Sequence, residues 1–279
     1  MNIVAALRTI AKRWPELSSS STEAPVFVLA GAWRSGSTLL QRMLMRECLV
    51  WGEPFGRGMP IDLMAQQLRI FTDQWPADGM FVDRRKPEPG NLGREWVANL
   101  FPPLAALLQA HAAYFTALFA EPARQLGFQR WGLKEVRLGV EHGYYLKWVF
   151  PKARLLFLCR DPYACYRSFK ALKLTYRRWP EEPIDAPESF GKLWNSLVSG
   201  YLDHGPQAGG LLIKYEDLCR PDFNAGQVND YLGFALDLTA RESKIGGSGK
   251  QQLTADEIGR LEALVGATAA RLGYARPFE

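Results

Sequence analysis

The stretch "PVFVLAGAWRSGSTLL" (residues 25–40) reads as a buried strand, a glycine-bounded turn and the opening of a helix. Its turn matches the phosphate-loop spacing G-x-x-x-x-G-K-[ST] at Gly31, Gly36 and Thr38. Ser37 stands where the lysine belongs, however, and Arg34 lies three residues earlier. A helix starting near Gly36 aims the backbone N–H groups of residues 35–39 at a bound anion, and its dipole adds to the attraction. In a nucleoside triphosphate loop the lysine bridges the β and γ phosphates while the hydroxyl holds Mg²⁺. Losing the lysine disfavours that chemistry. A ligand with a single 5′ phosphate asks for less: backbone amides including that of Leu39, the hydroxyls of Ser35, Ser37 and Thr38, and one arginine.

Working outward, short apolar runs recur at 25–31, 49–53, 131–135, 153–159 and 211–215, the longer ones patterned for burial on both faces. Helical patterns separate them at 36–48, 94–119, 162–174 and 187–202, and a last helix opens at Thr254, where Glu257 completes a capping box. The alternation predicts an α/β fold, a doubly wound parallel sheet with helices on both faces, whose ligands sit outside the carboxyl ends of the strands. Residues 1–24 read as an amphipathic helix and linker, and 25–279 as one domain with mobile loops inserted near 75–93 and 177–187.

Bulk properties exclude several classes. The 279 residues are 47% hydrophobic, enough for a full core. No apolar window reaches transmembrane length, and the N-terminus lacks a signal-peptide cleavage pattern. Cys48, Cys159, Cys165 and Cys219 have no metal-ligand spacing; they read as thiols of a reducing, cytoplasmic setting, with no metal implied. The net charge of +5 suits an anionic ligand, and without long basic tracts nucleic-acid binding is not expected.

A second motif sharpens the reading. In "RLLFLCRDPYACYRSF" (154–169) a hydrophobic strand ends in Arg160, Asp161 can cap a helix whose first residue is Pro162, and Ser168 follows on that helix. "RSGSTLL" resembles the 5′-phosphosulfate loop of sulfotransferases that use 3′-phosphoadenosine 5′-phosphosulfate (PAPS), as found in bacterial glycolipid and trehalose, Golgi carbohydrate and tyrosylprotein enzymes. The second motif resembles their 3′-phosphate motif, which implies that Arg160 and Ser168 bind the phosphate that distinguishes this donor from ATP. A sulfuryl group, less charged than a phosphoryl group, also fits a loop without lysine or metal.

The same resemblance suggests the chemistry. Glu53 in "VWGEPFGR" is similar to the glutamate that acts as general base in the Golgi and tyrosylprotein enzymes; the plain alternative is a helix-capping carboxylate. Arg34 matches the cation of the family loop, and Lys134 resembles a lysine that supports the transition state. Tyr215 in "YED" is expected near the adenine, or packed on the sheet. Arg57 could hold substrate or donor. His142 is the substitute base and lies near substrate, whereas His111 reads as structural. The basic, glycine-rich segment 241–250 supplies Lys244, Ser248 and Lys250 as candidates for the donor's 3′-phosphate and sulfate. The acceptor is expected to be a hydroxyl on a carbohydrate or glycoconjugate, a leaning that rests on Glu53-Pro54 and nine tryptophans, with a small-molecule alcohol or phenol as the alternative. A P-loop kinase and a non-catalytic nucleotide sensor are the competing readings.

Overall fold

The computed structural model describes residues 2–56, 58–174, 177–242 and 252–277. Five strands, β1 (Val26–Ala30), β2 (Leu49–Trp51), β3 (Trp131–Glu135), β4 (Arg154–Cys159) and β5 (Gly210–Lys214), form one sheet in the order β2-β3-β1-β4-β5. Every pairing is parallel. All carboxyl ends therefore share one edge. The chain leaves β1 for β2 on one side and reaches β4 on the other, so the loops after β1 and β4 diverge from adjacent strands. That divergence is where such sheets bind ligands. β1 and nearly all of β4 are buried, as their unbroken apolar runs require; β5 is an edge strand and only Ile213 is fully buried.

Twelve helices surround the sheet: α1 (Ile3–Arg13), α2 (Ser37–Leu44), α3 (Met59–Gln66), α4 (Val82–Arg85), α5 (Leu104–Phe115), α6 (Glu121–Gln125), α7 (Val140–Val149), α8 (Pro162–Ala171), α9 (Pro187–His204), α10 (Tyr215–Cys219), α11 (Gly226–Leu232) and α12 (Ala255–Arg271), counted among the described residues. The helix α2 packs on β1 and β2, and α9 packs against α7, α8 and α12. The capping box of Thr254 and Glu257 forms at the start of α12.

Several elements differ from the sequence reading. The helix expected over 94–119 begins only at Leu104, because Pro102 and Pro103 cannot lie inside it, and its end widens into a π turn at 116–120, just before Pro122 removes an N–H from the ladder. The segment 75–93 is not a free loop. It contains helical turns, and the Arg13 guanidinium on α1 binds the carbonyls of Thr72 (2.8 Å) and Trp75 (3.2 Å), the Pro76 carbonyl and the Asp78 carboxylate. The helix α1 itself buries Ile3, Ala6 and Ile10 in the same core as the sheet. The 177–187 segment is anchored across the sheet edge by Trp179, whose indole N–H donates to the Arg137 carbonyl at 3.1 Å.

Candidate functional site

The loop after β1 is held in an unusual shape. Gly31 N–H donates to Leu158 O on β4 at 2.9 Å, and Val198 of α9 passes so close that a Cβ at Gly31 would lie 2.3 Å from its Cγ2. Arg34 adopts φ +70°, a left-handed conformation that costs a non-glycine residue roughly 1–3 kcal/mol and concentrates at functional sites. Gly36 has φ +85°, and a Cβ there would fall 1.9 Å from Cδ2 of Tyr215. The Tyr215 ring therefore forms one wall of the loop. At the head of α2 no side chain caps the helix, and the N–H groups of Ser37 and Thr38 have no carbonyl partner within it. The expectation for Leu39 needs correction: its N–H donates to Gly36 O at 2.9 Å and closes the first turn. Ser35 is fully buried, and its hydroxyl has no hydrogen-bond partner among the described residues. An unmet buried hydroxyl costs about 1–3 kcal/mol, so this loop fits a ligand oxygen.

Because Ala30 pairs with Leu158, the loop after β4 lies beside this one. Arg160 Nη1 donates to the Arg34 carbonyl at 2.8 Å, and its guanidinium stacks 4.4 Å from the centre of the Tyr215 ring. Arg34 Nε donates to Ser168 Oγ at 2.9 Å. Asp161 caps α8, accepting from Ala164 N–H at 2.6 Å. Burial pushes the Asp161 carboxyl up, and the Ala164 bond pulls it only partly back. Arg34, Arg160, Ser168 and Tyr215, scattered over 182 positions of sequence (34 to 215), thus meet at one place.

Further along the edge, Trp51 of β2 pairs with Leu133 of β3, which brings Glu53 to Lys134. Lys134 Nζ donates to Glu53 Oε1 at 2.6 Å, with the two side chains 7% and 24% exposed. Glu135, passed over in the sequence, is the site's surprise: it is buried, and among the described residues no side chain hydrogen-bonds its carboxylate. Burial pushes its carboxyl up to about 8, with Arg137 opposing and Glu53 reinforcing the rise. Its only sequence signal was its place at a strand's carboxyl end. Trp33 links the two halves of the edge, with Arg137 and Arg177 at 5.4 and 5.8 Å from its ring.

His142 lies in the first turn of α7, buried, with Nε2 3.0 Å from Asp62 Oδ1 on α3. Burial tends to raise the Asp62 carboxyl, but hydrogen bonds and charge from His142, with Gln66 and Arg69, hold it below the ordinary range. His111 is enclosed by Tyr145 OH at 3.0 Å and Gln67 at 3.3 Å, and burial pushes its imidazole down to about 4, as a core histidine requires. Arg57, Lys244, Ser248 and Lys250 lie outside the described residues. None of the described helices is long and apolar enough to cross a membrane.

The family model of the sulfotransferase family matches residues 25–237, so the chain belongs to that family. It is a sulfotransferase with the α/β fold of that family, a five-stranded all-parallel sheet carrying a phosphate-loop-like turn. Among solved structures, the sulfotransferase domain from the curacin biosynthetic pathway is similar in fold, with TM-score 0.50 and 16% identity over 92% of this chain and 100% of that one. Sulfotransferase STF9 from Mycobacterium avium aligns with TM-score 0.47 and 16% identity, covering 98% of this chain and 84% of that one. A sulfotransferase from Alicyclobacillus acidocaldarius aligns with TM-score 0.45 and 17% identity, covering 90% and 95%. No curated protein sequence matches the chain.

Proposed function

We propose that this enzyme transfers the sulfuryl group of PAPS directly to an acceptor hydroxyl. The observation that carries the donor assignment is the junction of the two phosphate motifs, where Arg160, Arg34 and Ser168 are joined by bonds of 2.8 and 2.9 Å against the Tyr215 ring. The head of α2 and the hydroxyls of Ser35, Ser37 and Thr38 would hold the 5′-phosphosulfate. Arg160 and Ser168 would hold the 3′-phosphate, with Tyr215 beside the adenine. Bound there, the donor supplies an activated sulfuryl group on a phosphate leaving group. The acceptor oxygen forms a bond to sulfur as the bridging sulfur–oxygen bond breaks and its electron pair stays on the phosphate. Glu53 takes the acceptor's proton. Lys134 fixes the Glu53 carboxylate and, with Arg34, supplies positive charge where negative charge moves.

The acceptor is best matched to a carbohydrate or glycoconjugate hydroxyl, with a small alcohol or phenol as the second reading. Trp14, Trp33, Trp131 and Trp194 are core residues and cannot stack on a sugar. Phe55 can: it is 74% exposed two residues beyond Glu53, and Trp96, just beyond the inserted segment, is 73% exposed. These aromatic faces suit sugar C–H surfaces and phenols alike. Calorimetric titration with adenosine 3′,5′-bisphosphate and 5′-AMP tests the donor assignment. Wild type should prefer the bisphosphate by roughly ten- to a hundredfold, the worth of a charge-assisted contact, and Arg160→Ala should erase the preference. Equal binding by wild type refutes the donor reading. Turnover on pools of glycans and phenols then separates the two acceptor classes.

A further inference from the structure

We infer that Glu216 and Tyr274 are positioning residues for Arg160, which makes the segment following α12 part of the donor site. The inference rests on the reading of Arg160 as the 3′-phosphate ligand. An arginine leaving a strand end is aimed by its own backbone, and here that backbone is held on both sides. The Arg160 carbonyl accepts from Trp194 Nε1 of α9 at 3.0 Å. The next N–H, that of Asp161, donates to Glu216 Oε1 at 3.0 Å. Asp161 cannot serve this purpose with its own carboxylate, which is engaged in capping α8.

The other oxygen of Glu216 shows what fixes the carboxylate. Oε2 accepts from Tyr274 OH at 2.8 Å. Tyr274 is held in turn by Lys214, whose ammonium lies 4.9 Å from its ring centre and donates to Leu272 O at 2.8 Å. Three consecutive residues at the end of β5 therefore act on one junction. Lys214 clasps the segment beyond α12, Tyr215 carries the Arg160 guanidinium on its ring, and Glu216 holds the backbone beneath it. A glutamate in the first turn of a short helix could simply face water near the helix N-terminus. Here both its oxygens are committed to other elements. The Tyr274 hydroxyl stays a donor, because burial raises its ionisation far above the ordinary range.

The test uses the full chain and the same two nucleotides. Glu216→Ala should weaken adenosine 3′,5′-bisphosphate binding about tenfold, as loss of a charge-assisted bond would, while 5′-AMP binding changes less than about twofold. Glu216→Gln, which keeps an acceptor for Asp161 N–H, should restore most of the preference. Tyr274→Phe removes one hydroxyl, keeps the ring, and should show the same selective loss to a smaller extent. It also carries the test if the alanine variant does not fold. Unchanged bisphosphate binding in both Tyr274→Phe and a folded Glu216→Ala would overturn the inference. So would a parallel loss of both nucleotides, which marks a purely structural role. A wild type without preference for the bisphosphate would overturn the donor reading and this inference with it, an outcome visible before any variant is measured.

Discussion

Replacing Glu53 with glutamine removes the proposed proton acceptor while keeping its shape. The amide oxygen can still accept from Lys134 Nζ, now 2.6 Å from the carboxylate. The bond falls from charge-assisted to ordinary strength, a loss of about 1 kcal/mol. A domain of this size would then melt only roughly 2–4 °C lower, so the variant remains folded at assay temperature. Alanine is harsher. The Lys134 side chain is only 7% exposed and would lose its counter-charge outright, at a cost toward about 3 kcal/mol. Glutamine therefore isolates the chemistry. Bisphosphate affinity should stay within about twofold, because the two phosphate motifs lie on β1 and β4, not on β2. The kcat should fall by roughly 10²–10⁴, the usual worth of a positioned base, or about 2.7–5.4 kcal/mol of barrier. Radiolabelled transfer at saturating donor, thermal unfolding and nucleotide titration together read these three quantities. Turnover like wild type refutes the assignment. If His142→Ala is inactive at the same time, the base is His142, held by Asp62.

Gly36→Ala would place a methyl 1.9 Å from the Tyr215 ring at φ +85°, so it should lower stability by about 1–3 kcal/mol and abolish bisphosphate binding; a titration like wild type would refute the loop geometry. Glu135 makes stability depend on pH. Its folded-state value of about 8 lies above the ordinary 4.5, so the folded protein holds a proton that the unfolded chain has lost. That stabilisation is complete below pH 4.5 and declines as pH rises toward 8, with a slope approaching about 1.4 kcal/mol per pH unit. Glu135→Gln should flatten the decline in denaturant unfolding between pH 5 and 8, and an unchanged slope would show that other groups cause it. Because Ser37 replaces the lysine that accompanies Mg²⁺–nucleotide chemistry, transfer should survive EDTA; loss of activity restored by Mg²⁺ would favour a kinase-like reaction.

The local devices were legible because each is a short-range match between residue type and backbone need. Asp161-Pro162 announces a helix start and delivers the cap at 2.6 Å, and Thr254 with Glu257 delivers the capping box. Pro60 marks the start of α3, although its N-cap, Gly58, is left-handed and gives no side-chain cap. Helices without such a signal were missed, α7 among them: it starts after Gly139 with no side-chain cap. Its position follows from packing against α1, α3, α5 and α9.

By itself, the sequence determined that strands and helices alternate, that two turns resembling phosphate motifs occur in a given order, and which strand ends carry Glu53, Lys134 and Arg160. It could do so because hydrophobic period and turn chemistry are properties of neighbours in the chain. Only the tertiary structure decided the strand order β2-β3-β1-β4-β5, and with it who meets whom. Pairing β1 with β4 joins Arg34 to Arg160 and Ser168, and pairing β2 with β3 joins Glu53 to Lys134. The burial of Glu135 and the grip of Tyr274 on Glu216 belong to the same class. They depend on contacts between residues far apart in sequence, where a side chain's protonation and direction follow from what surrounds it, which no local pattern encodes.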